Sequence, residues 1–124
     1  MRVFKTKPFA RFTSREEIDD AELCDAVNRA ENGLIDADLG GGVIKQRLAR
    51  QGRGTSGGFR SIVLFRRGDK AIFAYGFAKN DRDNIKRDEL MAFRNLADVM
   101  LAFDDRTLAA AARNGTIMEI KRHA

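Results

Sequence analysis

The sequence has no tryptophan and only one cysteine, one proline and one histidine among its 124 residues. Cys24 therefore cannot form an internal disulfide, which fits a reducing compartment and a small core side chain. No apolar run approaches the roughly 20 residues that a membrane-spanning helix needs, and the N-terminal segment lacks the apolar centre of a secretory signal. These absences predict a cytoplasmic protein that does not bind membranes.

The same shortages argue against metal and cofactor chemistry. A zinc site needs several histidine or cysteine ligands, and the chain offers only Cys24 and His123. A catalytic triad built on His123, next to the last residue, is equally unsupported. The glycine-rich segment 52–58 lacks the Lys-Ser/Thr pair of a phosphate-binding Walker loop, and the carboxylates do not suggest a two-metal centre. We therefore expect no metal and no cofactor.

Charge is divided unevenly along the chain, whose net value is +5. Residues 13–38 carry nine acidic side chains against two arginines, whereas residues 43–70 carry eight basic side chains against one aspartate. A localised basic stretch attracts polyanions through phosphate contacts and counterion release. The alternative is a basic face that is merely solvated.

The N-terminal part of the chain predicts a strand followed by one helix. Residues 3–9 are suited to a short first strand. Ser14 and Glu17 have the spacing of a capping box, and the apolar residues after them form one helical stripe that stops at Gly33. Residues 38–42 predict a loop.

The middle of the chain changes to a period of two. Residues 43–49 alternate, which places Lys45 and Arg47 on one face of a strand. Residues 50–58 predict a flexible basic loop. Two strands with near-continuous apolar runs follow, joined by a tight turn and expected in the centre of the sheet, at residues 59–66 and 70–79.

The C-terminal part predicts two more helices and an edge strand. The first of these helices begins between Asp83 and Asp88 and ends near Phe103, and a shorter one follows a cap at Asp104 or Asp105. The buried stripe of the first of these two helices is predicted to contain Leu90, Phe93, Leu96, Ala97, Met100 and Leu101. With an edge strand at 116–120, the order predicts one α+β domain over residues 1–124, an antiparallel or mixed sheet with helices packed on one face plus a C-terminal helix and short strand.

A basic sheet face can cleave RNA without a metal. RNA carries its own nucleophile, the 2′-OH, which can attack the adjacent phosphate and leave a 2′,3′-cyclic phosphate. The reaction needs a base, an acid and cations near the phosphate. A lysine crowded by other cations can exchange protons near neutrality, and arginine stabilises phosphate oxygens.

Two strings of residues resemble the RelE toxin family, in its RelE/HigB-like branch. Residues 43–66, V-I-K-Q-R-L-A-R-Q-G-R-G-T-S-G-G-F-R-S-I-V-L-F-R, are similar to the central hairpin of that family, and residues 71–85, A-I-F-A-Y-G-F-A-K-N-D-R-D-N-I, to its last strand and exit loop. The resemblance implies an endoribonuclease that cuts messenger RNA on the ribosome without a metal cofactor. It also implies a cognate antitoxin, commonly a helix-turn-helix DNA-binding protein, so that operator DNA is contacted only through the antitoxin.

Site residues follow from the resemblance position by position. Arg60 matches the arginine of the family's G-[YF]-R motif, Arg47 a strand lysine, and Lys45 and Lys79 further basic positions. Two departures matter, because Asn80 replaces a functional arginine and Lys86 a catalytic tyrosine. The catalytic candidates are Lys45, Arg47, Arg60 and Lys79, and the RNA-binding candidates are Arg50, Arg53, Arg66, Arg67, Tyr75, Arg82 and Lys86.

Competing interpretations remain at the level of residues and of function. Arg60 could be an exposed arginine that covers core, and Tyr75, expected on one strand face with Phe73 and Phe77, could be core packing instead of a platform for an unpaired base. A ParE-like toxin that inhibits DNA gyrase and a non-catalytic RNA-binding module are the alternative functions.

Overall fold

The structure is built around a mixed sheet with helices on both faces. A computed structural model of the chain describes residues 1–50 and 54–121, with side chains throughout except at 50 and 54–57. Within this part the sheet has six strands. In chain order the elements are β1 (Arg2–Thr6), α1 (Lys7–Glu16), α2 (Asp20–Glu31), β2 (Ala37–Gly40), β3 (Val43–Arg50), β4 (Gly54–Arg66), β5 (Lys70–Ala78), α3 (Arg87–Met100), α4 (Asp105–Arg113) and β6 (Ile117–Ile120).

The strands are ordered β2-β3-β4-β5-β1-β6 across the sheet. β1 is parallel to β5, and the other neighbours are antiparallel. The predicted α+β class is therefore confirmed, as are the central positions of β4 and β5 and the edge position of β6. None of the helices in the described ranges is long and apolar enough to span a membrane.

Each face of the sheet has its own apolar core. Helices α1 and α2 cover one face, where Phe9, Leu23 and Phe73 are fully buried, and partly buried Cys24 packs against this core. Helices α3 and α4 cover the opposite face, where Met100 packs on Ile72 and neighbouring strand residues. Helices thus pack on both faces and not on one. We call the face that carries α3 and α4 the α3-side face.

The N-terminal helix predicted to start at Ser14 is in fact two helices. α1 begins earlier, where the Thr6 side chain accepts a hydrogen bond from the Phe9 N–H. Glu17 ends α1 in the left-handed conformation, with φ 57°. Asp19 then caps α2 by accepting from the Glu22 N–H at 3.0 Å. The capping box predicted at Ser14 and Glu17 is therefore wrong, because Ser14 lies inside α1 and the N-cap of α2 is Asp19, five residues later.

Two segments predicted as loops contain strand. β2 overlaps the predicted loop 38–42 and pairs with β3, so that only Gly41 and Gly42 make the turn, both with positive φ. Glycine adopts that conformation without a Cβ penalty. β4 begins at Gly54, inside the predicted loop 50–58, since Arg50 already pairs with Gly54.

A β-bulge in β5 decides which side chains share a face. Ile62 is paired with Tyr75 and Val63 with Phe73, so Ala74 is an extra residue between them. Phe73 consequently points to α1 and stacks on Phe9 with ring centroids 5.0 Å apart. Tyr75 lies on the α3-side face, with Phe77. The expectation that Phe73, Tyr75 and Phe77 share one face is wrong, because an unpaired residue shifts the alternation by one.

The C-terminal elements follow their predicted order. α3 begins at Arg87, α4 follows a cap in which Asp104 accepts from the Thr107 N–H at 2.8 Å, and β6 pairs with β1. Three residues of the predicted buried stripe, Ala97, Met100 and Leu101, are buried, whereas Leu90 and Phe93 are only partly buried and Leu96 is 37% exposed. Leu96 lies beside the stripe formed by Ala97 and Met100.

Candidate functional site

A group of basic side chains lies at one end of the α3-side face. On β3, Ile44 and Leu48 are buried against the α1–α2 core, which places Lys45 and Arg47 on the opposite, α3-side face. On β4, Phe59 is buried on the α1–α2 side and Ile62 on the α3 side. Alternation then places Arg60 with Ile62. The face predicted for Lys45 and Arg47 is thus the one that holds Arg60.

The strand register brings these side chains into neighbouring rows. Arg47 pairs with Arg60, and Arg60 pairs with Phe77. In the next row Lys45 pairs with Ile62, and Ile62 pairs with Tyr75. Directly opposed residues on one face of an antiparallel sheet have Cβ atoms about 4.5–5.5 Å apart. These two neighbouring rows together contain Lys45, Arg47, Arg60, Tyr75 and Phe77, and we call this set of five residues the basic row.

Positive charge in the basic row has no acidic partner in the described part of the chain. Neither Lys45, Arg47 nor Arg60 forms an ion pair there. The Lys45 Nζ donates to Asn84 Oδ1 at 3.4 Å, and the Arg60 Nη1 donates to its neighbour's carbonyl oxygen, that of Phe59, at 3.3 Å. Guanidinium and ammonium groups without carboxylates suit an anionic ligand such as a phosphate.

Lys79 lies one residue beyond the end of β5, next to the basic row. Its N–H donates to the Gly58 carbonyl oxygen at 3.3 Å, which continues the β4–β5 pairing, and its side chain is exposed. The chain then turns through residues 80–86 to α3. Lys86, the residue before α3, is exposed and donates its N–H to Glu89 Oε1 at 2.7 Å.

Arg82 is fixed in the centre of this turn. Its Nη1 donates to the Tyr75 hydroxyl at 3.1 Å and to Glu89 Oε2 at 3.1 Å, its Nη2 donates to Glu89 Oε1, and its Nε donates to the Asn84 carbonyl oxygen at 3.0 Å. The guanidinium also lies 5.8 Å from the Tyr75 ring centre and 5.7 Å from that of Phe77. Unlike the cations of the basic row, Arg82 is paired with a carboxylate.

Glu89 is the acidic group at this end of the sheet that sequence reasoning missed. The hydrogen bonds from Arg82 and then from the Lys86 N–H lower the pKa of Glu89 to about 2, and the hydrogen bond to Glu89 raises the pKa of Arg82 above its usual range. A carboxylate with so low a pKa is a weak base near neutral pH. The sequence shows no signal for the pair, because Arg82 and Glu89 meet only after the chain has turned into α3.

Two predicted RNA-binding residues lie at the opposite end of β4. Arg66 follows Arg60 by six residues, about 20 Å along a strand. The Arg66 Nη1 and the buried Lys70 Nζ both donate to the Leu101 carbonyl oxygen, at 2.9 and 3.1 Å, where α3 ends. Arg67 is exposed in the turn after β4. The basic candidates 43–70 are therefore not one patch.

Two further candidates cannot be placed by side chain. Arg50 is the last residue of β3, and only its backbone is described. Arg53 lies outside the described residues. Within residues 1–50 and 54–121, no three histidine, cysteine, aspartate or glutamate residues come together as metal ligands would.

Comparison with protein families places the whole sequence in one family. The family model described as RelE toxin of RelE / RelB toxin-antitoxin system matches residues 1–120. The chain belongs to the RelE toxin family. RelE toxins are ribosome-dependent mRNA interferases and have an antitoxin as partner. Comparison with curated protein sequences gives no significant match.

Proposed function

We propose that this RelE-family chain is a metal-independent endoribonuclease that cleaves translated messenger RNA in the ribosomal A site. The observation that carries the proposal is the direct pairing of Arg47 with Arg60 on the same face of the sheet. Like charges placed opposite each other destabilise a sheet. Their presence here without a carboxylate is what a site for an RNA phosphate requires.

Roles can be proposed for each of the four catalytic candidates. Arg47 and Arg60 would hold the phosphate oxygens and stabilise the charge that builds up on them when the 2′-OH attacks. Lys45 and Lys79, on either side of the arginines, would exchange protons with the 2′-OH and the leaving 5′-oxygen. The products would be a 2′,3′-cyclic phosphate and a 5′-hydroxyl.

Arg50, Arg53, Arg66, Arg67 and Lys86 would contact RNA outside the reacting phosphate. Phosphate contacts from such cations add affinity that depends on salt and carry no sequence preference. Tyr75 lies on the proposed face but is covered by Arg82, so we propose that it acts through its hydroxyl and not as a stacking platform. Arg82 is treated separately below.

The partners that we propose are the ribosome, messenger RNA and a cognate antitoxin. The site described here has no strong general base, so orientation of the RNA by the ribosome would supply much of the rate, since positioning alone can contribute several kcal/mol. The antitoxin would be a helix-turn-helix DNA-binding protein, through which alone the toxin would reach operator DNA. All of these partners are cytoplasmic.

The test is primer extension on one message under two conditions. Purified protein should cut the message on programmed ribosomes far faster than the same message free in solution, and chelation of divalent metal by EDTA during a pre-bound single turnover should leave the rate unchanged. Equal rates on both substrates would contradict ribosome dependence. Loss of cleavage in EDTA on intact ribosomes would contradict metal independence.

The two alternative functions predict other outcomes of expression in cells. A ParE-like inhibitor of gyrase would cause DNA damage and leave messages intact. A non-catalytic RNA-binding module would do neither, although it would still bind ribosomes or RNA. Cleaved messages without DNA damage are the result that we expect.

A further inference from the structure

The geometry points to Glu89 as a positioning residue of the cleavage site, acting through Arg82 on Tyr75 and Lys45. This inference rests on the proposed function, because it assigns a role within the same site. Glu89 belongs to the first turn of α3, whereas the side chains that it would organise belong to the sheet and to the turn after β5. The contacts between them form a continuous chain.

The first part of that chain is the pair between Glu89 and Arg82. Both carboxylate oxygens accept from the guanidinium, and Glu89 Oε1 also accepts from the Lys86 N–H. A two-pronged pair of this kind fixes the plane of the guanidinium as well as its position. Arg82 therefore cannot turn toward an RNA phosphate without losing its carboxylate partner.

The second part leads from Arg82 to the basic row. One branch runs from Nη1 to the Tyr75 hydroxyl, in the strand next to Arg60. The other runs from Nε to the carbonyl oxygen of Asn84, whose side-chain oxygen accepts from Lys45 Nζ at 3.4 Å. Arg82 thus connects Glu89 to two members of the row and contributes no free charge of its own.

An alternative is that Arg82 binds RNA directly and that Glu89 masks it. The two interpretations predict opposite effects of removing Glu89. If Glu89 positions, its removal slows cleavage, whereas if Glu89 masks, its removal releases a cation and speeds binding or cleavage. The contacts favour positioning, because Arg82 is held on four sides by Glu89, Tyr75, Phe77 and Asn84.

The experiment compares Glu89→Gln with a matched control, Glu119→Gln. Glu119 forms the same two-pronged pair with Arg2, at 2.9 and 3.0 Å, on the edge strand β6, far from the basic row. We expect Glu89→Gln to lower the single-turnover rate on programmed ribosomes about 10- to 100-fold, with ribosome affinity changed by less than about twofold. Glu119→Gln should change neither. Equal behaviour of the two variants, or faster cleavage by Glu89→Gln, would overturn the inference.

A double variant tests whether Glu89 acts through Arg82. If the two residues work as a unit, Arg82→Gln combined with Glu89→Gln should cleave no more slowly than Arg82→Gln alone. Additive losses would mean that Glu89 acts by another route. The salt dependence of ribosome binding should also be unchanged in Arg82→Gln. Loss of a direct phosphate contact would instead reduce the slope of log affinity against log salt concentration by about 0.7–0.9.

A measurement without RNA separates this inference from the proposed function. Tyr75 is the only tyrosine and the chain has no tryptophan, so fluorescence of the free protein, excited at a wavelength that phenylalanine does not absorb, reports on Tyr75 alone. Acrylamide should quench it more strongly in Glu89→Gln than in wild type or Glu119→Gln, because Arg82 would no longer cover the ring. If wild type cleaves no message, the proposed function fails, and this quenching comparison alone decides whether Glu89 positions Arg82 on Tyr75.

Discussion

Arg47 and Arg60 lie directly opposite each other on β3 and β4, on the α3-side face of the sheet. Within the described residues neither has a carboxylate partner, although Asp36 lies close enough to accept from the Arg47 backbone N–H at 2.7 Å. The Asp36 carboxylate is instead paired with Arg29, at 3.5 Å. The charge of Asp36 is thus directed to α2, and the two arginines remain available to an anion.

Substitution of Arg60 or Lys79 should stop catalysis without unfolding the protein. Arg60→Ala should lower the single-turnover rate on programmed ribosomes by roughly two to three orders of magnitude, the usual effect of losing one charge-stabilising group, and Lys79→Ala should do the same if Lys79 transfers a proton. The free energy of unfolding of Arg60→Ala should stay within about 1 kcal/mol of wild type, since relief of repulsion offsets lost packing.

The matched control for these substitutions is Arg11→Ala. Arg11 is exposed on α1, which covers the opposite face of the sheet. Its removal subtracts the same charge and should leave the cleavage rate unchanged. Normal cleavage by correctly folded Arg60→Ala and Lys79→Ala would show that the site is misplaced.

Gly76→Ala should destabilise the fold by about 1–3 kcal/mol. A Cβ at Gly76 would lie 2.3 Å from Cε2 and 2.4 Å from Cδ2 of Phe12, a buried ring that packs edge-on against Phe59. Urea unfolding should show a lower midpoint with an unchanged slope. Gly33→Ala is the comparison, because its Cβ would meet nothing and only the strain of φ +83° remains. If Gly76→Ala left the free energy of unfolding unchanged, the Phe12 ring would be free to move away from the added Cβ.

Stability should depend on pH through Glu89 in a defined direction. Its pKa in the folded state is about 2, below the ordinary 4.5, so its contribution is complete above about pH 4.5 and is lost as the pH falls toward 2. The difference in unfolding free energy between wild type and Glu89→Gln should therefore be largest near neutral pH and shrink on acidification. Urea unfolding at several pH values measures it.

Glu22 supplies a control, because its pKa is shifted in the direction opposite to that of Glu89. Burial raises its pKa, although the Ala49 N–H donates to it at 2.6 Å. Its contribution to stability is therefore present below its ordinary pKa and lost as the pH rises through the raised value. The free energy of unfolding of Glu22→Gln should therefore increase relative to that of wild type as the pH rises. A shared trend for Glu22→Gln and Glu89→Gln would contradict one of the two assignments, the one whose predicted direction it reverses.

The antitoxin should bind mainly away from Arg60 and Lys79 and inhibit by excluding the complex from the A site. The edge strand β6 is suited to such binding, because its outer side can add a strand from a partner. Arg60→Ala and Lys79→Ala should then leave antitoxin affinity nearly unchanged, as titration calorimetry can measure. A loss of more than about 1 kcal/mol for each variant, the scale of a contact residue, would show that the antitoxin covers the site directly.

Local signals in the sequence were enough for several elements. The period of two around Lys45 and Arg47 predicted their shared face, and a cap at Asp104 or Asp105 predicted the start of α4, because both features depend on residues within one strand or one turn. The division of the N-terminal helix at Glu17 was missed, since the acidic stretch around it offers several capping residues that sequence alone does not rank.

What the sequence by itself determined is the fold class, the family and the identity of the basic side chains that line the strands. Only the tertiary structure decided which of them meet. The bulge at Ala74 places Tyr75 on the same face as Arg60. The packing of α3 places Glu89 beside Arg82, and Arg66 donates a hydrogen bond to a carbonyl oxygen at the end of α3. These outcomes depend on the register between β4 and β5 and on where α3 packs, and such contacts between distant residues leave no periodic pattern along the chain.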